Sequence, residues 1–242
     1  MKFLKRNVSW IPVAGCLFAS LAWGTPPDLV SVNLDNPNLS YTGIRHIDVQ
    51  PELVRFSRFD WELLKLGKPE LGFNPDKARN TTGGVVSFTT DSPVIYLKFR
   101  PTPDLNRGSE FGAFVDGRFT GSYKFNRSQQ ELEISIENLK DGAFHTWELT
   151  LPSFSNPELV GLEIAEGSQL KPPAKGKQKV YVALGDSITH GTGQGSASHL
   201  TWPFILSRKL GFSLYNLAVG GSGVSVAAGQ SLQEFKSIDL IT

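Results

Sequence analysis

Chemistry in this chain concentrates around one serine. Residues 180–184 (VYVAL) form an unbroken apolar run of the kind that fills a buried parallel strand, and Gly185-Asp186-Ser187-Ile188-Thr189 follows at once. In open α/β sheets ligands bind outside the carboxyl edge of the strands, so Ser187 is predicted to stand at that edge as a nucleophile. The helical turn expected after it leaves backbone N–H groups free, and these favour an anion such as the oxyanion of an acyl-transfer intermediate. Gly221, in the run Gly220-Gly221-Ser222-Gly223, lies at the end of the next predicted strand. Without a Cβ its N–H can approach a second position beside that oxyanion. Asp186 is expected to fix the turn through hydrogen bonds rather than act as an acid. A serine needs a base to become a good nucleophile. His190 falls three residues after Ser187, where helical neighbours can meet, but it is not read as that base. His199 is read as a surface histidine, with a place beside the pocket as the alternative. Residues 191–195 (GTGQG) lack both nucleotide-loop spacings, so no nucleotide is expected there.

The elements that position Ser187 follow from the pattern around it. Residues 201–210 (TWPFILSRKL) read as a helix, with Thr201 as N-cap, Pro203 in the first turn and Gly211 as the stop. Trp202, Ile205 and Leu206 are its expected apolar stripe. Residues 212–217 read as a second strand, a short helix is expected between 224 and 236, and residues 238–242 begin a third strand. This is the β-α-β-α-β order of an α/β sheet.

Upstream, the pattern changes to alternation. Residues 131–137 (ELEISIE) place Leu132, Ile134 and Ile136 on one buried face, and His145, Trp147, Leu149 and Leu151 share a face of the next strand. Asp116-Gly117 and Asp141-Gly142 are hairpin-turn signals. Many short strands with frequent turns predict a sandwich or jelly roll. Only residues 52–66 offer a weak helical pattern. Tyr41, Phe56, Phe59, Trp61, Phe111, Tyr123 and Phe125 are read as core, with a sugar-stacking surface as the alternative. Neither His46 nor His145 has ligand spacing, and no metal is expected. Residues 168–179 (SQLKPPAKGKQK) read as a solvated connector. The predicted organisation is thus an export signal at 1–24, an all-β domain at 25–167, a linker at 168–179 and an incomplete α/β domain at 180–242.

The N-terminus reads as a signal for export. Lys2, Lys5 and Arg6 precede an uncharged, largely apolar stretch, and Ala22-Trp23-Gly24 offers small residues for cleavage before Thr25. That stretch is short for a membrane span. The expected location is secreted or periplasmic; the alternative is a lipoprotein anchored through Cys16, since Val13-Ala14-Gly15-Cys16 has the form of a lipobox. Of 242 residues, 24 are basic and 23 acidic, a net charge of +1. Removing the three N-terminal basic residues leaves 21 against 23, or −2. A body so nearly neutral lacks the basic stripe that nucleic acid demands. A hydrophobic share of 40% excludes wholesale disorder, and a single cysteine excludes a disulfide framework.

Gly185-Asp186-Ser187-Ile188 after its apolar strand resembles the first block of the GDSL, or SGNH, hydrolases, and residues 216–221 (NLAVGG) resemble their second. Residues 88–95 (FTTDSPVI) and 151–156 (LPSFSN) resemble segments of the β-sandwich that precedes this domain in two-domain bacterial SGNH esterases. The resemblance implies an N-terminal all-β sandwich or jelly roll followed by the start of an α/β, flavodoxin-like hydrolase domain. It implies a serine ester hydrolase with Ser187 as nucleophile and the N–H groups of Ser187 and Gly221 in the oxyanion hole. In the family a third block supplies an Asn donor, and an Asp-x-x-His block supplies the base; neither occurs in these 242 residues. The chain is therefore expected to be a fragment of a longer one. The implied substrate is an ester, an acylated carbohydrate by analogy of layout, with no cofactor. The competing reading is a secreted binding module, a β-sandwich holding a glycan or a partner, with an inactive hydrolase tail.

Overall fold

The computed structural model describes residues 27–102, 107–139, 141–174, 179–223 and 225–242. The expected export signal, Cys16 included, lies outside the described residues. Among the described residues, fifteen strands occur in the order β1 (Leu29–Ser31), β2 (Ser40–Thr42), β3 (His46–Gln50), β4 (Leu53–Ser57), β5 (Val85–Thr90), β6 (Val94–Pro101), β7 (Ser109–Val115), β8 (Arg118–Phe125), β9 (Leu132–Glu137), β10 (His145–Thr150), β11 (Pro157–Ala165), β12 (Leu170–Lys171), β13 (Lys179–Ala183), β14 (Phe212–Asn216) and β15 (Leu240–Ile241). The helices are short: α1 (Lys68–Leu71), α2 (Pro75–Ala78), α3 (Ser187–His190), α4 (Trp202–Leu210) and α5 (Val226–Gln230).

Two antiparallel sheets account for the first twelve strands. One runs β3-β4-β11-β6-β9 with β1 added to β11; the other runs β12-β5-β10-β7-β8 with β2 added to β5. Inward residues of both merge into one core: Phe56, Ile95, Leu97, Phe99, Leu132 and Ile134 from the first sheet meet Val86, Phe88, Phe111, Trp147 and Leu149 from the second. Period-two alternation makes this possible, because every second side chain along each strand faces the same side. Leu132, Ile134 and Ile136 are buried as their spacing predicts, with Glu133, Ser135 and Glu137 exposed. His145, Trp147, Leu149 and Leu151 are buried too. Thr150, expected on the opposite face, is also buried, and its hydroxyl accepts from the Gly112 N–H at 2.9 Å. Among the aromatic residues, Phe56, Phe59 and Phe111 are core, Tyr41, Tyr123 and Phe125 pack against it, and Trp61 is the one exposed ring of the set.

Several expectations need correction. The 52–66 stretch holds strand β4 and then one 3-10 turn at Leu63–Lys65, because Leu53–Ser57 pairs with β3 along its whole length. Asp116-Gly117 makes the two-residue hairpin between β7 and β8, both residues at positive φ. Asp141-Gly142, by contrast, joins strands of opposite sheets, since β9 pairs with β6 and β10 with β5 and β7. A turn signal reports chain reversal and does not choose the partner strand. Within the expected connector, Leu170 and Lys171 pair with Thr90 and Thr89 as a short edge strand.

His145 links those two turns. Its Nδ1 lies 2.7 Å from Asp116 Oδ2 and its Nε2 3.1 Å from Asp141 Oδ1. Two carboxylates raise the imidazole pKa above its ordinary 6.5, Asp116 contributing most. A folded pKa above the unfolded one adds stability that is fully present below about pH 6.5 and lost as pH rises through the folded value. Both aspartates are pulled below their ordinary range, so their share is lost only in stronger acid. His145→Asn is therefore expected to lower the Tm more at pH 6 than at pH 9. Equal losses at both pH values in thermal melts would contradict the ionic link.

The last three strands form a parallel sheet, β14-β13-β15, with Tyr181 opposite Leu214 and Leu240. Parallel sheets need cover on both faces. On one face Val182, Leu217 and Val219 meet Phe59, Leu64, Leu71 and Phe73, contributed by residues 59–78. On the other, Tyr181, Ala183 and Leu214 meet Phe204 of α4 and Phe114 of β7. Residues upstream of the parallel sheet thus contribute to the cover on both its faces. Helix α4 has its expected ends, with Thr201 Oγ1 capping the Phe204 N–H and Gly211 left-handed. Its buried face differs from the expected stripe: Pro203, Phe204 and Ser207 turn inward, while Trp202 and Ile205 are exposed. Phe204 reaches Phe114 of β7, 5.9 Å between ring centres.

Candidate active site

Strand β13 delivers Ser187 through a sharp turn. Gly185 sits at φ +148°, a conformation L-residues rarely adopt, and a Cβ there would fall 2.6 Å from Thr189 Oγ1. Asp186 caps α3, its Oδ1 accepting from the Ile188 N–H at 2.9 Å. Ser187 follows as the first residue of that turn, half-buried, with Ile188 exposed beside it. Its carbonyl accepts from the N–H groups of Gly191 and Thr192. Gly185→Ala is expected to cost about 1–3 kcal/mol of strain at this turn and about tenfold or more of any turnover through Ser187. Unchanged kinetics in the alanine variant would show that the turn absorbs a Cβ.

The end of β14 lies against this turn. A Cβ on Gly220 would be 3.6 Å from Ser187 Cβ, so Gly220 and not Gly221 is the residue in direct contact with the serine. Gly221 follows at φ +81° and is exposed. Asn216 pins the two segments together: its Nδ2 donates to Thr189 O at 2.8 Å and its Oδ1 accepts from the Ala218 N–H at 3.0 Å. Among the described residues, neither the Ser187 N–H nor the Gly221 N–H has a hydrogen-bond partner. Free N–H donors on the serine itself and on the residue after Gly220 are the kind of groups that hold an oxyanion.

His190 sits buried beneath these loops. Its Nδ1 accepts from the Gly220 N–H at 3.1 Å, and its Nε2–H donates to Ser153 O at 2.9 Å. Burial pulls its pKa down to about 3, and the nearby charges of Arg58, Lys77 and Arg107 push the same way. The ring is therefore neutral, and both nitrogens are occupied. It holds the Gly220 loop in place and has no lone pair for Ser187. His199 is neither a surface nor a pocket residue. It is buried, with its ring stacked on Phe119 at 5.3 Å and packed where a Gly112 Cβ would be.

The least expected component is Arg58. It is 1% exposed and pairs with no carboxylate among the described residues. Four main-chain carbonyls receive it instead: Asn80 at 2.6 Å, Asn216 at 2.8 Å, Ala218 at 2.6 Å and Lys77 at 2.9 Å. Burial lowers its pKa to about 9, which still leaves the guanidinium charged at neutral pH. Arg58 continues the inward register of Val54 and Phe56, so the signal in the sequence was an arginine at an apolar position. Lys77, from α2, was not foreseen either; its Nζ donates to Gly220 O at 3.0 Å.

Two openings lie near the turn, the first of them bordered by Gly185, Asp186 and Thr189. A cavity of about 570 Å³ is lined by Phe73, Leu184, Asp186, Val219, Ser222 and Ala228. A groove of about 610 Å³ runs between β7, β8 and residues 192–196, lined by Arg107, Glu110, Lys124, Phe125, Phe154 and Thr192. No helix among the described residues is long and apolar enough to cross a membrane.

Comparison with known proteins agrees with this geometry. No curated protein matches the chain in sequence. Among solved structures, it is similar to the salicylyl-acyltransferase SsfX3 of a tetracycline biosynthetic pathway (21% identity, TM-score 0.67, covering 79% of this chain and 54% of that one). A protein described as a GDSL-like lipase from Bacteroides ovatus is similar at 18% identity and TM-score 0.66, covering 88% and 63%. A family two carbohydrate esterase from Cellvibrio japonicus follows at 16% identity and TM-score 0.57, covering 82% and 54%. The chain thus spans between half and two thirds of the length of these structures, and at such identities the likeness speaks for the fold. The segment that carries Ser187 and Gly220, residues 181–240, matches the GDSL-like lipase/acylhydrolase family.

Proposed function

We propose that the protein is an ester hydrolase of the SGNH type, acting on an acylated carbohydrate and removing acetyl or another small acyl group. Ser187 is its nucleophile. The observation that carries this reading is the placement of Ser187 at the carboxyl edge of a parallel sheet, with its own N–H unoccupied and Gly220 packed against it. In the proposed step, Ser187 Oγ attacks the ester carbonyl carbon while a base takes the hydroxyl proton. The carbonyl oxygen becomes an oxyanion received by the Ser187 and Gly221 N–H groups. The alcohol then leaves, and water hydrolyses the acyl-serine. His190 is committed to the Gly220 loop and is not that base. Asp186 shapes the turn and takes no proton. The reaction as written uses no metal or cofactor.

The same reading divides the chain into an export signal (1–24), a jelly-roll sandwich (25–167), a connector (168–179) and a flavodoxin-like hydrolase segment (180–242), in a secreted or periplasmic protein. The groove lined by Phe125, Phe154, Glu110 and Arg107 suits the carbohydrate, offering apolar ring faces beside charged hydrogen-bonding groups. The binding-module alternative keeps Phe125, in the groove, and the exposed Trp61, while Phe56, Phe59 and Phe111 of its aromatic set are core. Hydrolysis of acetylated sugars by the wild type and its loss in Ser187→Ala test the proposal together.

A further inference from the structure

A cation from outside the family segment touches the peptide that the proposed chemistry depends on. Lys77 lies in α2, which packs beside the parallel sheet, and Asn74 caps that helix by accepting from the N–H groups of Asp76 and Lys77. The Lys77 carbonyl is held by Arg58. With its backbone fixed at both ends, the side chain reaches the β14 loop, where Nζ donates to Gly220 O at 3.0 Å. The same nitrogen would be 3.5 Å from a Cβ on Gly221. Lys77 is half-buried and has no carboxylate partner among the described residues.

The carbonyl that Lys77 holds belongs to the Gly220–Gly221 peptide, whose N–H is the free donor assigned to the oxyanion. No cis peptide occurs among the described residues, so that N–H points away from the carbonyl in the plane of the peptide. A charged donor on the carbonyl fixes that plane against a glycine pair that could otherwise rotate. It also draws electrons toward the oxygen and makes the N–H a stronger donor, since linked hydrogen bonds polarise one another. Arg58 adds a second cation on the Asn216 and Ala218 carbonyls of the same loop, also without a carboxylate partner.

We propose that Lys77 is a positioning residue for ester hydrolysis: by holding the Gly220 carbonyl it orients and polarises the Gly221 N–H toward the oxyanion. The proposal rests on the Ser187 reading. It predicts an effect on the charged tetrahedral state and little on binding of the neutral ester.

The test uses the protein expressed from its complete gene, with Lys77→Met, Lys77→Arg and Ser187→Ala compared on p-nitrophenyl acetate. Lys77→Met is expected to lower kcat about tenfold with KM within twofold, and to weaken inhibition by phenylboronic acid, which forms a tetrahedral anion on serine, by a similar factor. Lys77→Arg is expected to restore part of both. The Gly221 amide proton resonance in Lys77→Met is expected to move upfield, a readout that does not need turnover. If Ser187→Ala is inactive but Lys77→Met keeps wild-type kcat and boronate affinity, the role of Lys77 is overturned while the nucleophile stands. Equal losses in kcat and KM effects without rescue by arginine would also overturn it, as a merely structural contact. If Ser187→Ala stays active, or the wild type hydrolyses no ester, the Ser187 reading falls. The Gly221 resonance then still decides whether Lys77 polarises the peptide.

Discussion

Ser187→Ala in the complete protein is expected to lower ester hydrolysis by about 10⁴-fold or more, leaving the fold and substrate binding intact. The size follows from the role proposed for the side chain. Without the hydroxyl no acyl-enzyme forms, and the oxyanion donors and bound substrate can only assist direct attack by water. The structural cost is small. Ser187 is half-buried at a helical turn, the cap is made by the Asp186 side chain, and the contacts of the Ser187 carbonyl belong to the backbone. Thermal melts of the variant are therefore expected to overlay those of the wild type. Substantial residual hydrolysis in the alanine variant, with the melt unchanged, would mean that another group performs the attack.

Arg58→Met is expected to be the most destabilising single change in the chain. Methionine fills a similar length of apolar stem and offers no donor. The carbonyls of Asn80, Asn216 and Ala218 would lose the guanidinium together, and Lys77 O would keep only its backbone donors. Each buried carbonyl left unpaired costs about 1–3 kcal/mol, and even with partial relaxation the total is about 4 kcal/mol. For a chain of this size that corresponds to a drop in Tm of about 10 °C. Arg58→Lys keeps the charge but lacks the planar fork, so it is expected to recover only part of the loss. Because two of the four carbonyls lie in the loop beside Ser187, turnover should fall along with stability. A Tm change under about 3 °C in Arg58→Met would indicate that water replaces the guanidinium at little cost.

The two kinds of residue differ in how far the sequence foretold them. Ser187 and Asp186 were legible because a continuous apolar strand ending in a glycine turn is a local pattern, complete within ten residues. The alternating faces of β9 and β10 were legible for the same reason. Arg58 and Lys77 act across more than a hundred residues of chain, on carbonyls that carry no side-chain signature. Nothing in the spacing around either of them indicates the β14 loop. The inward face of α4 was misjudged because helical periodicity names an apolar stripe but not its partner. Phe204 and Pro203 won that contact over Trp202 and Ile205 once β7 supplied Phe114. His190 shows a third case, in which proximity to the serine was visible and the direction of its two nitrogens was not.

The contacts of Arg58 also bear on how this protein can diverge. A guanidinium that reads main-chain oxygens is indifferent to which side chains those residues carry. The hydrolase segment could therefore drift in sequence along Leu217, Ala218 and Val219 without losing its attachment, provided the backbone path survived. The reverse does not hold, since one position in the antiparallel part holds both the Asn216 and the Ala218 oxygens. Exchange of the β-rich half for an unrelated one would leave those oxygens unsatisfied, so the two parts are expected to be inherited together rather than shuffled as separate modules.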